Sequence, residues 1–171
     1  MGGSLTDLVP ELASFARDLV DAAGRAGLQP RITSTIRSHS EQRRLYNRFL
    51  AGQAGYPVAP PGQSAHEYGL AFDMVVSPME ALADVGFTWQ QWGGRWNGSD
   101  AVHFELPGAT NWARQQGVGE EQQPIGAWID SIFNGIPWYI SALLPTSLLT
   151  STQPMPIDDV KKTLRKYGIK L

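Results

Sequence analysis

The sequence predicts an α+β domain over residues 1–117, followed by a segment of different character over residues 118–171. Three observations carry that prediction. Short strand-type runs occur at "RITSTI", "LAFDMVV" and "VHFEL", longer stretches with helical spacing lie around them, and the composition shifts after about residue 117.

The elements follow in order. "TDLVPELASFARDLVDAAGRAGL" sets Leu8, Leu12, Phe15, Leu19 and Ala22 at helical spacing, with a Thr/Asp start and Gly27 as its close. "RITSTI" alternates as a strand. "SHSEQRRLYNRFLAG" predicts a second helix, N-capped by Ser38 or Ser40 and ended by Gly52. Residues 53–63 are a Pro/Gly loop. "LAFDMVV" is a short strand of buried type, and "SPMEALADVG" a short helix closed by Gly86. "FTWQQWGGRWNGSD" is aromatic and glycine-rich, so an irregular loop is expected before the strand "VHFEL", which Pro107 and Gly108 end.

Composition narrows the function classes. The chain is 42% hydrophobic and 18% charged, a globular balance. Its net charge of −2 offers no electrostatic reason to expect a nucleic-acid partner. It has no cysteine, so a bound metal must take nitrogen and oxygen ligands. "MGGSLTDLVPELASF" lacks the features of a secretory signal. It does fit the bare myristoylation pattern through Gly2 and Thr6, which a flexible leader explains equally well.

"SAHEYGLAFD" and "DAVHFEL" carry the chemistry. Strand alternation puts Asp73 on the face of Ala71 and Val75, with Phe72 and Met74 opposite. His103 and Glu105 share one face of the later strand, and Val102, Phe104 and Leu106 take the other. If the strands are neighbours, Asp73 meets His103, and His66 in the turn before the first strand completes a His/Asp/His set. Two imidazoles and a carboxylate suit zinc with one position open to water, whose pKa the metal lowers toward ~7. Asp100, three residues before His103, is the best placed base. A lone histidine is more often a satisfied core or surface residue, and spacing by itself leaves both readings open. An aspartate inside an apolar strand weighs toward a partner, because an unpaired buried carboxylate is costly.

These residues fit Ser-x-His-x-x-Gly-x-Ala-x-Asp and Asp-x-x-His-Phe-Glu. The chain thereby resembles the zinc D-alanyl-D-alanine carboxypeptidase and L-alanyl-D-glutamate endopeptidase family of peptidoglycan metallopeptidases, whose wider group includes the Hedgehog signalling domain. "ITSTIRSHSEQRRLYN" and "FTWQQWGGRW" are similar to two further family elements, and the order agrees over roughly residues 8–116. The resemblance implies a small antiparallel sheet carrying the zinc site, flanked by helices. It implies His66, Asp73 and His103 as zinc ligands, Asp100 as general base and Glu105 as a support behind the ligands. It further implies Arg37 and Ser64 as contacts to a peptidoglycan stem peptide. Aspartate at position 100 with the "HFE" ending resembles the phage-endolysin branch, which cuts between L-Ala and D-Glu. Removal of terminal D-Ala is the other enzymatic expectation. A wall-binding or virion structural module without catalysis is the expectation from another class, against which stand a full ligand set and a base. Ile36 replaces the family's commoner tyrosine, which leaves the shape of the substrate pocket open.

The remaining features have plainer readings. His39, two residues after Arg37, is expected as an exposed helix-start residue, with contact to substrate as the alternative, and Arg43, Arg44 and Arg48 as a solvated helix face. Trp89, Trp92 and Trp96 fit either a ligand groove or a core. "GVGEEQQP" looks like a linker, residues 131–157 carry no charge, and a basic tail with Lys161, Lys162, Arg165, Lys166 and Lys170 comes after them. Asp130, Asn134, Pro137 and Pro145 weigh against a clean transmembrane helix. Residues 125–171 are therefore expected to dock onto the domain, a virion protein or a membrane. With no signal peptide, the expected route is synthesis in a host cytoplasm and action at the cell wall, released by lysis or carried in a virion.

Overall fold

A computed structural model of the protein describes residues 3–117 together with 125, 126, 128 and 129. A 3₁₀ turn, Leu5–Asp7, leads to α1 (Pro10–Arg25), β1 (Arg31–Ser34) and α2 (His39–Leu50). A second 3₁₀ turn, Ala65–Tyr68, precedes β2 (Ala71–Val75). Next come α3 (Leu82–Gln91), a 3₁₀ turn Gly98–Asp100, β3 (His103–Glu105) and α4 (Ala109–Gln116). The strands form one antiparallel sheet in the order β1-β2-β3. The architecture is α+β, as expected.

Local chemistry sets the helix ends. α1 begins later than its apolar spacing suggests, at Pro10, whose fixed φ and missing N–H suit the first helical position. Ser38 is the N-cap of α2: its hydroxyl accepts from the Glu41 N–H while Glu41 accepts from the Ser38 N–H. Gly27 and Gly52 leave α1 and α2 with φ of 81° and 69°.

The core lies between the sheet and α1 and α3. Leu12, Phe15 and Leu19 of α1 are buried against Phe72, Met74 and Phe104 of the sheet. Trp89 of α3 stands in the middle, with ring centroids 4.2 Å from Phe15, 5.3 Å from Phe72 and 6.0 Å from Phe104. Its indole N–H donates to the Glu105 carbonyl at 3.2 Å. Trp96 is buried as well, its N–H on the Ala101 carbonyl at 2.7 Å. Trp89 and Trp96 are thus core residues.

Two sequence expectations need correction here. Gly86 does not close a helix; α3 runs through it to Gln91. Glycine is required there by packing, because a Cβ would fall 2.1–2.6 Å from three atoms of the Trp96 ring. Gly86→Ala should therefore destabilise the fold by about 1–3 kcal/mol through overpacking, outweighing the roughly 1 kcal/mol that alanine gains in a helix. A thermal melt showing an unchanged or raised Tm would reject this. Nor is the segment after α3 wholly irregular. Arg95 pairs with Glu105 through backbone hydrogen bonds of 2.9 and 3.1 Å, extending the sheet beyond β3 by one bridge. α4, unanticipated in the sequence, buries Ala109, Trp112 and Ala113.

Trp128 and Ile129 are buried against the domain, with the Trp128 ring 5.5 Å from Trp112. Residues 118–124 and 130–171, on which the expectations of a linker, a membrane or virion contact and a basic tail rest, otherwise lie outside the described residues. Among the described residues no helix is long and apolar enough to cross a membrane.

Candidate metal centre

The antiparallel register places Asp73 directly opposite His103, on the sheet face away from Phe72 and Phe104. His66 reaches the same point from the 3₁₀ turn before β2. Gly69 ends that turn with φ of 67°, where a Cβ would also meet the Asp7 carbonyl at 3.0 Å. The glycine three residues after the histidine is what lets the chain turn sharply enough into β2.

Three donor atoms converge. His66 Nε2 lies 3.2 Å from Asp73 Oδ1 and 3.2 Å from His103 Nδ1, and His103 Nδ1 lies 3.3 Å from Asp73 Oδ1. A tetrahedral ion with bonds of about 2.0–2.2 Å separates its donors by about 3.3–3.6 Å. The triangle therefore matches one face of a tetrahedron around a zinc-sized ion, and the three residues can hold a metal.

The far nitrogens determine which atoms face the centre. His66 Nδ1 is 2.7 Å from the Thr35 carbonyl, which only accepts, so Nδ1 carries the hydrogen and Nε2 turns its lone pair inward. His103 Nε2 is 3.1 Å from Glu105 Oε2, which likewise directs Nδ1 to the centre. Glu105 is fully buried. Arg95 covers it with a hydrogen bond to Oε1, and Thr110 in the first turn of α4 donates to Oε2 at 2.5 Å.

Electrostatics reflect the crowding. Burial raises the Asp73 carboxyl, but its contacts with the His103 and His66 imidazoles outweigh it and hold the group far below the usual carboxylate range. Burial lowers His103, yet hydrogen bonds to Asp73 and Glu105 prevail and push it up to about 9. Burial also raises Glu105, and its bond with His103 is the main influence holding it below its ordinary value. A proton on His103 Nδ1 thus occupies the position a cation would take.

The other predicted residues lie around this centre. Arg37 approaches Asp73 Oδ2 at 3.7 Å and donates to Gln42 Oε1 at 2.8 Å. Gln42 is buried and donates onward to the Ala59 carbonyl at 2.7 Å. Ser64 is buried two residues ahead of His66, its N–H on Glu67. Asp100 stands exposed in the 3₁₀ turn that the Asn97 side chain caps, three residues before His103. It is not one of the three converging ligands.

Thr35, Gln42, Arg95 and Thr110 were not singled out by sequence reasoning. Gln42 stood inside a quoted element but carried no role. A threonine acting through its backbone carbonyl leaves no signal in a sequence.

Arg37 also lines an open groove of about 390 Å³, between Ile36 and His39 on one side and Gly62, Glu67 and Tyr68 on the other. A hollow of about 430 Å³ on the outer face of α2 is lined by Arg43, Arg44 and Arg48 and contains none of the converging ligands.

Comparison with known proteins agrees with this picture. The family model for VanY, D-alanyl-D-alanine carboxypeptidase, matches residues 6–122. Among solved structures, the chain is 21% identical to VanYB in complex with D-alanine-D-alanine, covering 63% of this chain and 77% of that one with a TM-score of 0.48. A vancomycin-resistance VanY D,D-pentapeptidase in complex with Zn(II) is 22% identical, covering 64% and 79% with a TM-score of 0.47. The LdcB LD-carboxypeptidase is 18% identical, covering 79% and 69% with a TM-score of 0.48. A search of curated proteins finds no significant match. The match over residues 6–122, which includes all three converging ligands, places the chain in the VanY D-alanyl-D-alanine carboxypeptidase family of peptidoglycan peptidases.

Proposed function

We propose that the protein is a zinc-dependent hydrolase of peptidoglycan stem peptides that cuts between L-Ala and D-Glu. The observation that carries the metallopeptidase reading is the triangle of His66 Nε2, Asp73 Oδ1 and His103 Nδ1. Zinc bound there would act as a Lewis acid on the scissile carbonyl and lower the pKa of a bound water toward ~7. Asp100 takes the proton from the attacking water and returns it to the departing amide nitrogen, a role that suits a solvent-exposed carboxylate close in sequence to His103. Arg37, anchored at one nitrogen by Gln42, presents the rest of its guanidinium to a substrate carboxylate.

The choice of bond rests on the space beyond Arg37. D-Ala-D-Ala and L-Ala-D-Glu both carry a free α-carboxylate one carbon past the scissile nitrogen, because the glutamate continues through its γ-carboxyl. A guanidinium can therefore serve either substrate. The two differ in the side chain on that carbon: terminal D-Ala ends in a methyl, whereas D-Glu leads into further chain. The groove beside Arg37 is open and has room for that chain, which supports the endopeptidase reading. Removal of terminal D-Ala stays the second reading, favoured by the description of the matching family.

Mass spectrometry of defined muropeptides after incubation with the zinc-loaded protein decides between them. Products split between L-Ala and D-Glu are expected. Loss of terminal D-Ala alone would transfer the protein to the carboxypeptidase reading, and no product from either peptide would reject both.

A further inference from the structure

We infer that His39 and Glu67 form a clasp between the two walls of the groove beside Arg37, and that this clasp determines specificity for the peptide chain leading away from the cut. The inference deepens the proposed endopeptidase function and rests on it.

One wall is the chain from Ile36 to His39 as it enters α2, and the other is Gly62 with the turn carrying Glu67 and Tyr68. His39 Nδ1 meets Glu67 Oε1 at 3.1 Å, joining them. The ring's other nitrogen lies 3.1 Å from Arg43 Nη2. A guanidinium only donates, so His39 Nε2 accepts and Nδ1–H donates to Glu67. The hydrogen bonds thereby run from Arg43 to His39 to Glu67.

Glu67 continues the connection into the opposite wall. Its Oε2 accepts the Gly62 N–H at 2.8 Å and the Ser64 N–H at 3.3 Å. The Tyr68 hydroxyl donates to the Gly62 carbonyl at 2.8 Å. Gly62, with φ of 82°, is thus held at both its N–H and its C=O. The Glu67 side chain is 6% exposed and that of His39 is 58% exposed, so the clasp is rooted in the protein and faces solvent along the groove.

None of these bonds touches the converging donor atoms; Glu67 Oε2 caps the turn that carries His66, whereas the bond to His39 uses the other oxygen. The Arg37 N–H already donates to the His66 carbonyl at 3.0 Å, and the clasp adds a side-chain bond between the same two walls, whose surface includes Tyr68 and the exposed Ile36. A groove lined by Arg37, where a carboxylate would dock, and by Ile36 and Tyr68 suits an amide-linked aliphatic extension.

The test compares a stem peptide that stops at D-Glu with one extended through the γ-carboxyl, using wild type, His39→Ala and His39→Asn, each zinc-loaded. His39→Ala is expected to lower the preference for the extended peptide, as the ratio of kcat/KM values, about tenfold. That loss should fall mainly in KM. Asparagine offers a donor near the Nδ1 position and should restore most of the preference. An unchanged ratio in His39→Ala would overturn the clasp alone. So would an equal loss of kcat on both peptides accompanied by loss of zinc, which is the signature of a structural role. A wild type inert on both peptides would instead overturn the proposed function, and the clasp with it.

Discussion

Asp100→Asn is expected to lower kcat on a cleavable muropeptide by about 10²- to 10⁴-fold, the usual contribution of a positioned general base. The substitution keeps the shape of the side chain and removes only its ability to take a proton. The turn that carries it is held through main-chain N–H groups of Ser99 and Asp100 on the Asn97 side chain, and these do not involve the Asp100 carboxylate. Fold and zinc content should therefore survive, as circular dichroism and elemental analysis would show. Zinc content matters because Asp100 lies only three residues before His103. A variant with full zinc and activity within a few-fold of wild type would place the base elsewhere.

Asp73→Asn is expected to abolish stoichiometric zinc binding and reduce activity to that of the metal-free protein. The carboxylate supplies the one negative charge among the three converging donors, and an amide oxygen is a much weaker partner for a divalent cation. The wild-type centre should also show a defined pH dependence. His103 is pushed up to about 9 in the metal-free protein, so at neutral pH it holds a proton that an incoming metal must displace. Zinc uptake should accordingly release a proton, and apparent affinity should rise with pH until about 9 and then level off. Calorimetric titrations in two buffers of different ionisation enthalpy measure that release directly. The same raised pKa stabilises the metal-free fold below the ordinary histidine value of 6.5, a contribution lost as pH rises through about 9. In Asp73→Asn, His103 loses its strongest partner, so that part of the pH dependence should shrink as well.

Much of the site was legible because strand geometry is periodic. Asp73 with Ala71, and His103 with Glu105, share faces by a rule that depends only on residue number, and the antiparallel register then sets Asp73 against His103. Glycine three residues after His66 marked the turn that brings the second imidazole in. The end of α3 was misread for the opposite reason. Gly86 resembles a helix stop, yet its lack of a side chain serves the Trp96 ring ten residues away. For Glu105, expected behind the ligands, alternation tells which way the side chain points and not what covers it. Arg95 and the unforeseen α4 do the covering.

The sequence by itself determined the α+β class and the exclusion of sulfur ligation, which derive from local period and residue identity, and its family resemblance singled out His66, Asp73 and His103 as candidate ligands. Only the tertiary structure decided that the Thr35 carbonyl and the Glu105 carboxylate aim the two imidazoles inward, and that Gln42 anchors Arg37. It alone showed that His39 and Glu67 join across the groove, 28 residues apart in the chain. The physical reason is the range of the interactions. Hydrophobic period and turn chemistry act over a few residues and leave a pattern that can be read along the chain. A hydrogen bond between distant segments depends on where the packed core brings them, and neither partner's identity announces the other.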